Sequence, residues 1–168
     1  RLYDAVEAAG KFATELGINI PTGKDSLSMT QKYPDGEKVM SPGTVIISAV
    51  AEVSDINKVI KPVLQPEFTA SIVFIDFSNV PFRLGGSSFA QTMSSVGDEA
   101  PNVKDAAYFA AAFEAVQKLI NKGVVLAGHD VSAGGMITTL LEMLLAQPGI
   151  GIDADLADFR ESDIVKML

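Results

Sequence analysis

One stretch decides the fold class: Val124-Val125-Leu126-Ala127-Gly128-His129-Asp130-Val131-Ser132-Ala133-Gly134-Gly135. Its first four residues predict a short apolar strand, and a strongly apolar helix is predicted after Gly135. A strand that leads through a glycine-rich turn into a helix is typical of α/β proteins. The sequence therefore predicts an α/β fold with helices layered on strands. In the helix, the residues predicted to face inward are Ile137, Leu140, Leu141, Leu144 and Leu145.

Apolar residues at helical spacing predict two further long helices. The first covers 2–16 and the second 105–120, and each is followed by a glycine, Gly17 or Gly123, that favours a helix end. A shorter helix carrying Phe89 and Met93 is predicted after 84–88. Helices of this length with one apolar stripe pack that stripe against a neighbouring layer.

Apolar runs predict strands at four more places: 27–33, 45–53, 71–77 and 149–156. The run 45–53 is nearly all apolar or small, which is typical of a strand buried on both faces. Pro34-Asp35-Gly36 predicts a turn, because proline presets φ and glycine accepts a positive φ. Ser54-Asp55 predicts the capped start of a short turn that ends near Val59.

The domain organisation is predicted from the segment 62–69. It contains Pro62 and Pro66 and no periodicity, which is typical of a linker between domains. The predicted organisation is thus a first domain at 1–61, the linker, and a second domain at 70–168. Arg1 leads directly into a helical pattern and the last residues stop inside another, which predicts a piece of a longer chain.

Composition excludes several classes of function. The chain of 168 residues is 48% hydrophobic and 20% charged, with a formal net charge of −8 and no cysteine. Its basic residues are scattered singly, which argues against a nucleic-acid partner. No apolar run is long enough for a membrane span. The absence of cysteine excludes a disulfide framework and a thiol nucleophile in this stretch and is compatible with the cytosol.

The segment 129–135 is the first candidate site. It lies where a strand ends and a helix begins, which is where open α/β sheets bind ligands. Asp130 offers an oxygen ligand suited to Mg²⁺, Ser132 offers a hydroxyl to a phosphate, and Gly134 permits close approach of the backbone. By pattern alone, helix capping by Asp130 and Ser132 is the favoured alternative. His129, the one histidine, is interpreted as packed or hydrogen-bonded.

Two other glycine-containing segments are weaker candidates. Lys24 lies in Gly23-Lys24-Asp25-Ser26, which lacks the spacing of a P-loop but could meet a phosphate as a point charge. The alternative is an exposed turn with a solvated Lys–Asp pair. Gly85-Gly86-Ser87-Ser88 is a possible anion cradle at a helix start or an ordinary loop.

Three segments jointly resemble one family: Ile20-Pro21-Thr22-Gly23-Lys24-Asp25-Ser26-Leu27-Ser28-Met29, Ser41-Pro42-Gly43-Thr44-Val45-Ile46-Ile47-Ser48-Ala49, and His129-Asp130-Val131-Ser132-Ala133-Gly134-Gly135. Leu84-Gly85-Gly86-Ser87 adds to the match. The chain resembles phosphoribosylformylglycinamidine synthase in its large single-chain form. The resemblance covers essentially the whole chain and implies the tail of an aminoimidazole ribonucleotide synthetase-like N-terminal domain plus the start of a C-terminal α/β domain.

The resemblance implies a function for the parent enzyme. It would be a cytoplasmic ATP-dependent ligase of purine biosynthesis, converting formylglycinamide ribonucleotide and glutamine to the amidine, with ADP, phosphate and glutamate as the other products. The chain would be part of the second synthetase half, inactive alone, and would bind its own polypeptide's remaining parts. The glutaminase domain and the other magnesium ligands would lie outside it. Self-association of the isolated piece is expected, because a truncated domain exposes sheet edges.

The resemblance also implies site roles. Asp130 matches a magnesium-binding aspartate and Ser132 a serine that contacts an auxiliary ATP or ADP. Lys24 would border the phosphates, and Gly134 would belong to the same nucleotide-binding segment. Ala133 stands where many relatives have Asp, and no residue is assigned a catalytic role. The open alternatives are the small-form synthase, another ATP-using relative such as selenophosphate synthetase, and a non-catalytic binding domain.

Overall fold

The computed structural model describes residues 2–26, 28–41 and 43–167, without the side chain of Met167. Arg1, Leu27, Pro42 and Leu168, which belong to the predicted ends, to the strand at 27–33 and to the Ser41-Pro42-Gly43 motif, lie outside the described residues. The chain divides into two compact units, 1–53 and 54–168. Each unit is described by itself. The division falls before the predicted linker at 62–69, which stays a prediction.

The first unit begins with a helix whose end was predicted correctly. Helix α1 spans Leu2–Glu15. Gly17 follows with φ of 71°, and its N–H bonds the Thr14 carbonyl while the Ile18 N–H bonds the Ala13 carbonyl. This left-handed glycine satisfies carbonyls that the helix end leaves free.

A small antiparallel hairpin follows in the same unit. Strand β1 (Thr30–Lys32) pairs with β2 (Lys38–Met40), with Thr30 opposite Met40 and Lys32 opposite Lys38. The turn predicted at 34–36 joins them, and Gly36 has φ of 88°. The predicted strand at 27–33 is therefore present over its last part, whereas β2 was not predicted, since Lys38-Val39-Met40 is too short to show alternation.

The segment 45–53 was predicted to be a strand and to be buried, and both predictions are wrong. The segment forms no regular element, and Ile46 and Val50 are 85% and 100% exposed. A strand is completed by hydrogen bonds to a neighbour, and the described part of the chain supplies no ladder partner here. Apolar composition alone could not reveal that.

The second unit contains one 3₁₀ turn and four helices among its described residues: Ile56–Lys58, then α2 (Ser88–Thr92), α3 (Ala106–Asn121), α4 (Gly135–Leu145) and α5 (Ile164–Met167). The 3₁₀ turn is capped by Asp55, whose side chain accepts from the Asn57 N–H, as predicted. Asp105 caps α3 through the Tyr108 N–H, and Gly123 with φ of 70° ends it.

The strands predicted in this unit at 71–77, 124–127 and 149–156 do not form ladders among the described residues. The predicted inward face of α4 is wrong at three of its five positions. Ile137, Leu141 and Leu145 are 45%, 55% and 82% exposed, whereas Leu140 and Leu144 are half-buried. Met136 and Thr139, which were not predicted to face inward, are buried. Because almost every position of α4 is apolar, periodicity could not select the face that packs. No helix in the described residues is long and apolar enough to cross a membrane.

Candidate functional site

The His129 ring is held between the loop and α4. Its Nδ1 lies 2.8 Å from the Asp130 carbonyl oxygen, and its Nε2 lies 3.2 Å from Oε2 of Glu142. Only 18% of the side chain is exposed. Both partners are oxygen acceptors, so each ring nitrogen has a described hydrogen-bonding partner. The interpretation of His129 as a hydrogen-bonded structural residue agrees with this geometry.

Asp130 and Ser132 do not cap α4. The N-cap is Gly134, and it makes no side-chain cap hydrogen bond. The Asp130 side chain is 88% exposed, with Oδ1 3.5 Å from Nδ1 of His129. Ser132 is exposed too. The capping alternative is therefore wrong, and both side chains remain open to a ligand.

The backbone of the loop is fixed by threonines of α4. The hydroxyl of buried Thr139 lies 3.3 Å from the Asp130 carbonyl oxygen and 3.1 Å from that of Gly135. Thr138 donates to the Gly134 carbonyl at 2.8 Å. A Cβ on Gly134 would lie 2.8 Å from Thr138 side-chain atoms. A glycine is needed at position 134 because the Thr138 side chain packs directly against it. This contact accounts for the glycine without any bound ligand.

Thr139 and Glu142 contact the candidate site but were not predicted from the sequence. They lie four and seven positions after Gly135, on the helix face that points back to the loop. That spacing was readable in the sequence, but the contact of this face with the loop exists only in the folded chain.

Lys24 belongs to the first unit. Its Nζ donates to Oγ of Ser26 at 2.7 Å and lies 3.5 Å from the Asp25 carbonyl oxygen. The side chain is exposed. Its predicted place beside phosphates bound at 129–135, which is part of the second unit, stays a prediction.

The loop at 84–87 is not an anion cradle. The N–H groups of Gly85, Gly86 and Ser87 bond the carbonyls of Glu99, Val96 and Leu84. Ser87 Oγ accepts the Ala90 N–H and caps α2. A Cβ on Gly85 would lie 2.5 Å from Glu99 backbone atoms. Gly85 therefore serves a close backbone crossing, Gly86 adopts a positive φ of 77°, and the N–H donors of both are already bonded.

A cleft of 480 Å³ joins this loop to the candidate site. Its walls include Gly85 and Gly86 on one side and 131–133 with Gly135 and Met136 on the other. Ser132 lines it, whereas Asp130 and Gly134 do not. The volume lies in the range of small-molecule sites, about 300–1,000 Å³. The structure thus brings together two segments that the sequence placed far apart.

One wall of the cleft is fixed by a carboxylate. Asp76 Oδ1 accepts from the N–H and hydroxyl of Ser78 at 2.8 and 2.6 Å, and Oδ2 lies 2.5 Å from Nη2 of Arg160. Arg160 also donates to the Val80 carbonyl at 2.8 Å and lies 4.6 Å from the Phe82 ring centroid.

The charge state of Asp76 follows from these partners. Burial acts to raise the pKa of Asp76, but hydrogen bonds from Ser78 and Asn79 and the charge of Arg160 outweigh it, so the pKa is lowered. The ionised carboxylate therefore holds together the segment 76–82.

Two family models match the chain. The "FGAR-AT PurM_N-like domain" covers residues 1–52, and the "AIR synthase related protein, C-terminal domain" covers 81–168. The second match spans more than half of the chain. The chain therefore belongs to the AIR synthase-related family, and the predicted α/β fold class is confirmed.

Two relatives are similar over nearly the whole chain. A probable phosphoribosylformylglycinamidine synthase of Arabidopsis thaliana, described as chloroplastic/mitochondrial, is 42% identical over 93% of the chain. One of Caenorhabditis elegans with the same enzyme name is 40% identical over 93% of the chain. The chain spans only 11% and 12% of these two proteins. No solved structure matches.

Proposed function

We propose that the chain is part of a phosphoribosylformylglycinamidine synthase, an ATP-dependent ligase that uses glutamine to form formylglycinamidine ribonucleotide in purine biosynthesis. The observation that carries the proposal is 40–42% identity to proteins of that name across 93% of the chain. Within this enzyme the chain contributes to a nucleotide–magnesium site and no catalytic residue. Its partners are the nucleotide, the ribonucleotide substrate and the rest of its own polypeptide.

Asp130 is the residue that would hold Mg²⁺. Its carboxylate is 88% exposed, and among the described residues its nearest ring nitrogen, Nδ1 of His129, is 3.5 Å away, so both oxygens can accept a ligand. The described residues contain no group of three potential metal-binding side chains. One carboxylate fits Mg²⁺, which is usually held by one or two carboxylates together with phosphates and water. The ion would neutralise phosphate charge there.

Ser132 would donate its hydroxyl to the nucleotide. Its side chain is exposed, lines the cleft and forms no hydrogen bond with the described residues. Gly134 keeps the backbone between these two side chains and α4 in place through its contact with Thr138. Lys24 is proposed to border the phosphates, since its ammonium group is exposed on the first unit.

Calorimetric titration of ADP, with Mg²⁺ and with EDTA, tests this site. We expect Asp130→Ala to weaken Mg²⁺-dependent ADP binding about tenfold or more, because a lost metal-ligating carboxylate removes a charge-assisted contact. Asp153→Ala is the matched control, since Asp153 is an exposed aspartate outside the loop and the cleft. Equal ADP affinity in Asp130→Ala and wild type would refute the magnesium assignment.

If ADP binds neither with Mg²⁺ nor without it, the chain acts as a non-catalytic binding domain in which the glycine segments are turns. We propose a cytoplasmic location, which fractionation of source cells tests; recovery in an organelle fraction would overturn it.

A further inference from the structure

The cleft at 84–87 and 131–136 has an unusual charge for this chain. The sequence carries 21 acidic and 13 basic residues, yet the described residues that line the cleft include Arg83 and Lys166 and no Asp or Glu. In a chain with net charge −8, a cleft lined by two cationic side chains and by no carboxylate favours an anionic ligand.

Neither cation is neutralised by a described neighbour. The ion pairs described for this unit involve Lys118, His129 and Arg160, and the side chains of Arg83 and Lys166 make no hydrogen bond or ion pair in the described part of the chain. Both are exposed. The two charges are therefore available to a ligand without first breaking a protein contact.

The remaining lining is suited to an organic ring. Phe82, Val131 and Met136 supply apolar surface, while Ser132 and Asn102 supply polar groups. Sites for small molecules combine such apolar walls with a few polar groups that set orientation. A nucleotide would place its phosphate beside Arg83 and Lys166. Its ribose or base would then lie against the apolar wall.

We infer that this cleft is a phosphate-binding subsite for a ribonucleotide, in which Arg83 and Lys166 hold the 5′-phosphate without a metal ion. The inference rests on the proposed function for the kind of ligand and on the cleft's charge for the anion. Arg83 binds as a planar fork of N–H donors and Lys166 as a mobile point charge. Arg83 and Lys166 belong to the same unit but lie far apart in the sequence.

The test is a titration of AMP, ribose 5-phosphate and adenosine in EDTA, followed by amide chemical shifts. We expect the two phosphorylated probes to bind and to shift the amides of Gly86 and Ser132, whereas adenosine binds at least tenfold more weakly. Arg83→Ala and Lys166→Ala should each weaken AMP binding about tenfold, because each removes a charge-assisted contact. Added salt should weaken it further.

Lys122→Ala is the matched control, since Lys122 is exposed at the end of α3 and does not line the cleft. Arg83→Gln and Lys166→Gln replace the alanine variants if circular dichroism shows a loss of helix. Absence of phosphate-probe binding, equal binding of adenosine, or an equal loss in Lys122→Ala would each overturn the inference. If the unmodified chain binds AMP in EDTA but shows no Mg²⁺-dependent ADP binding, only the proposed function is overturned.

Discussion

At the scale of single residues, the carboxylate of Asp76 accepts several hydrogen bonds and one ion pair. Four donor groups reach its two oxygens, from Ser78, Asn79 and Arg160, and Tyr108 donates to its backbone carbonyl at 2.9 Å. Its side chain is only 15% exposed. This residue therefore links α3, the segment 76–82 and the wall of the cleft.

Asp76→Asn is expected to lower the free energy of unfolding by about 1–2 kcal/mol, since hydrogen bonds to a charged group are lost or weakened. The folded-state pKa of Asp76 is lowered, so its contribution is present above the unfolded pKa of about 3.9 and is lost as pH falls through the folded value. Urea denaturation at pH 7 and at steps below pH 5 measures both effects.

The variant should show a flatter dependence of stability on pH below 5 than wild type. Asp158→Asn is the control, because Asp158 is exposed and its side chain has no hydrogen bond in the described residues. An Asp76→Asn curve parallel to wild type through the acid range would contradict the account.

At the scale of elements, α4 organises the candidate site through its first two turns. Thr139 and Glu142 bond the loop's Asp130 carbonyl and His129 ring, so the loop is anchored without help from the Asp130 or Ser132 side chains. This division leaves the two proposed ligand groups free, because the backbone that carries them is fixed by other residues.

Thr139→Val tests the anchor. Valine keeps the shape of threonine but removes the hydroxyl hydrogen that lies between the Asp130 and Gly135 carbonyls, which should cost about 1 kcal/mol. Hydrogen exchange measured at 129–135 is expected to speed up. Thr92→Val is the comparison, since Thr92 bonds a helical carbonyl on the exposed side of α2; equal exchange in the two variants would argue against the anchor.

At the scale of the whole molecule, the described residues bury few apolar side chains. The described buried hydrophobic residues are Ala90, Ala106 and Met136, and no large side chain is fully buried. Apolar surface left in water drives association.

We predict that the isolated chain self-associates through the segment 45–53. Val50→Lys should reduce the mass measured by light scattering at high concentration, because it places a charge on the most exposed apolar position. Glu52→Lys changes charge in the same segment without removing apolar surface and should change the mass less. A monomer at high concentration in the unmodified chain would refute the prediction.

The sequence by itself determined the features that depend on neighbours a few residues away. Helical spacing predicted α1, α3 and α4, and Ser54-Asp55 predicted the capped 3₁₀ turn. Gly17 and Gly123 marked the ends of two helices, and Gly36 marked the hairpin turn. These signals are local because a helix satisfies its own backbone hydrogen bonds and a turn is set by one or two φ angles.

Only the tertiary structure decided what depends on distant partners. A strand needs a second strand, so the apolar runs at 45–53 and 71–77 could not be judged from their own residues. The packed face of α4 was hidden by its uniform apolarity. Arg83, Lys166 and Ser132 line the same cleft although they are far apart in the sequence. Folding alone brings them together, and the interaction of their charges with a ligand depends on distance in the folded chain.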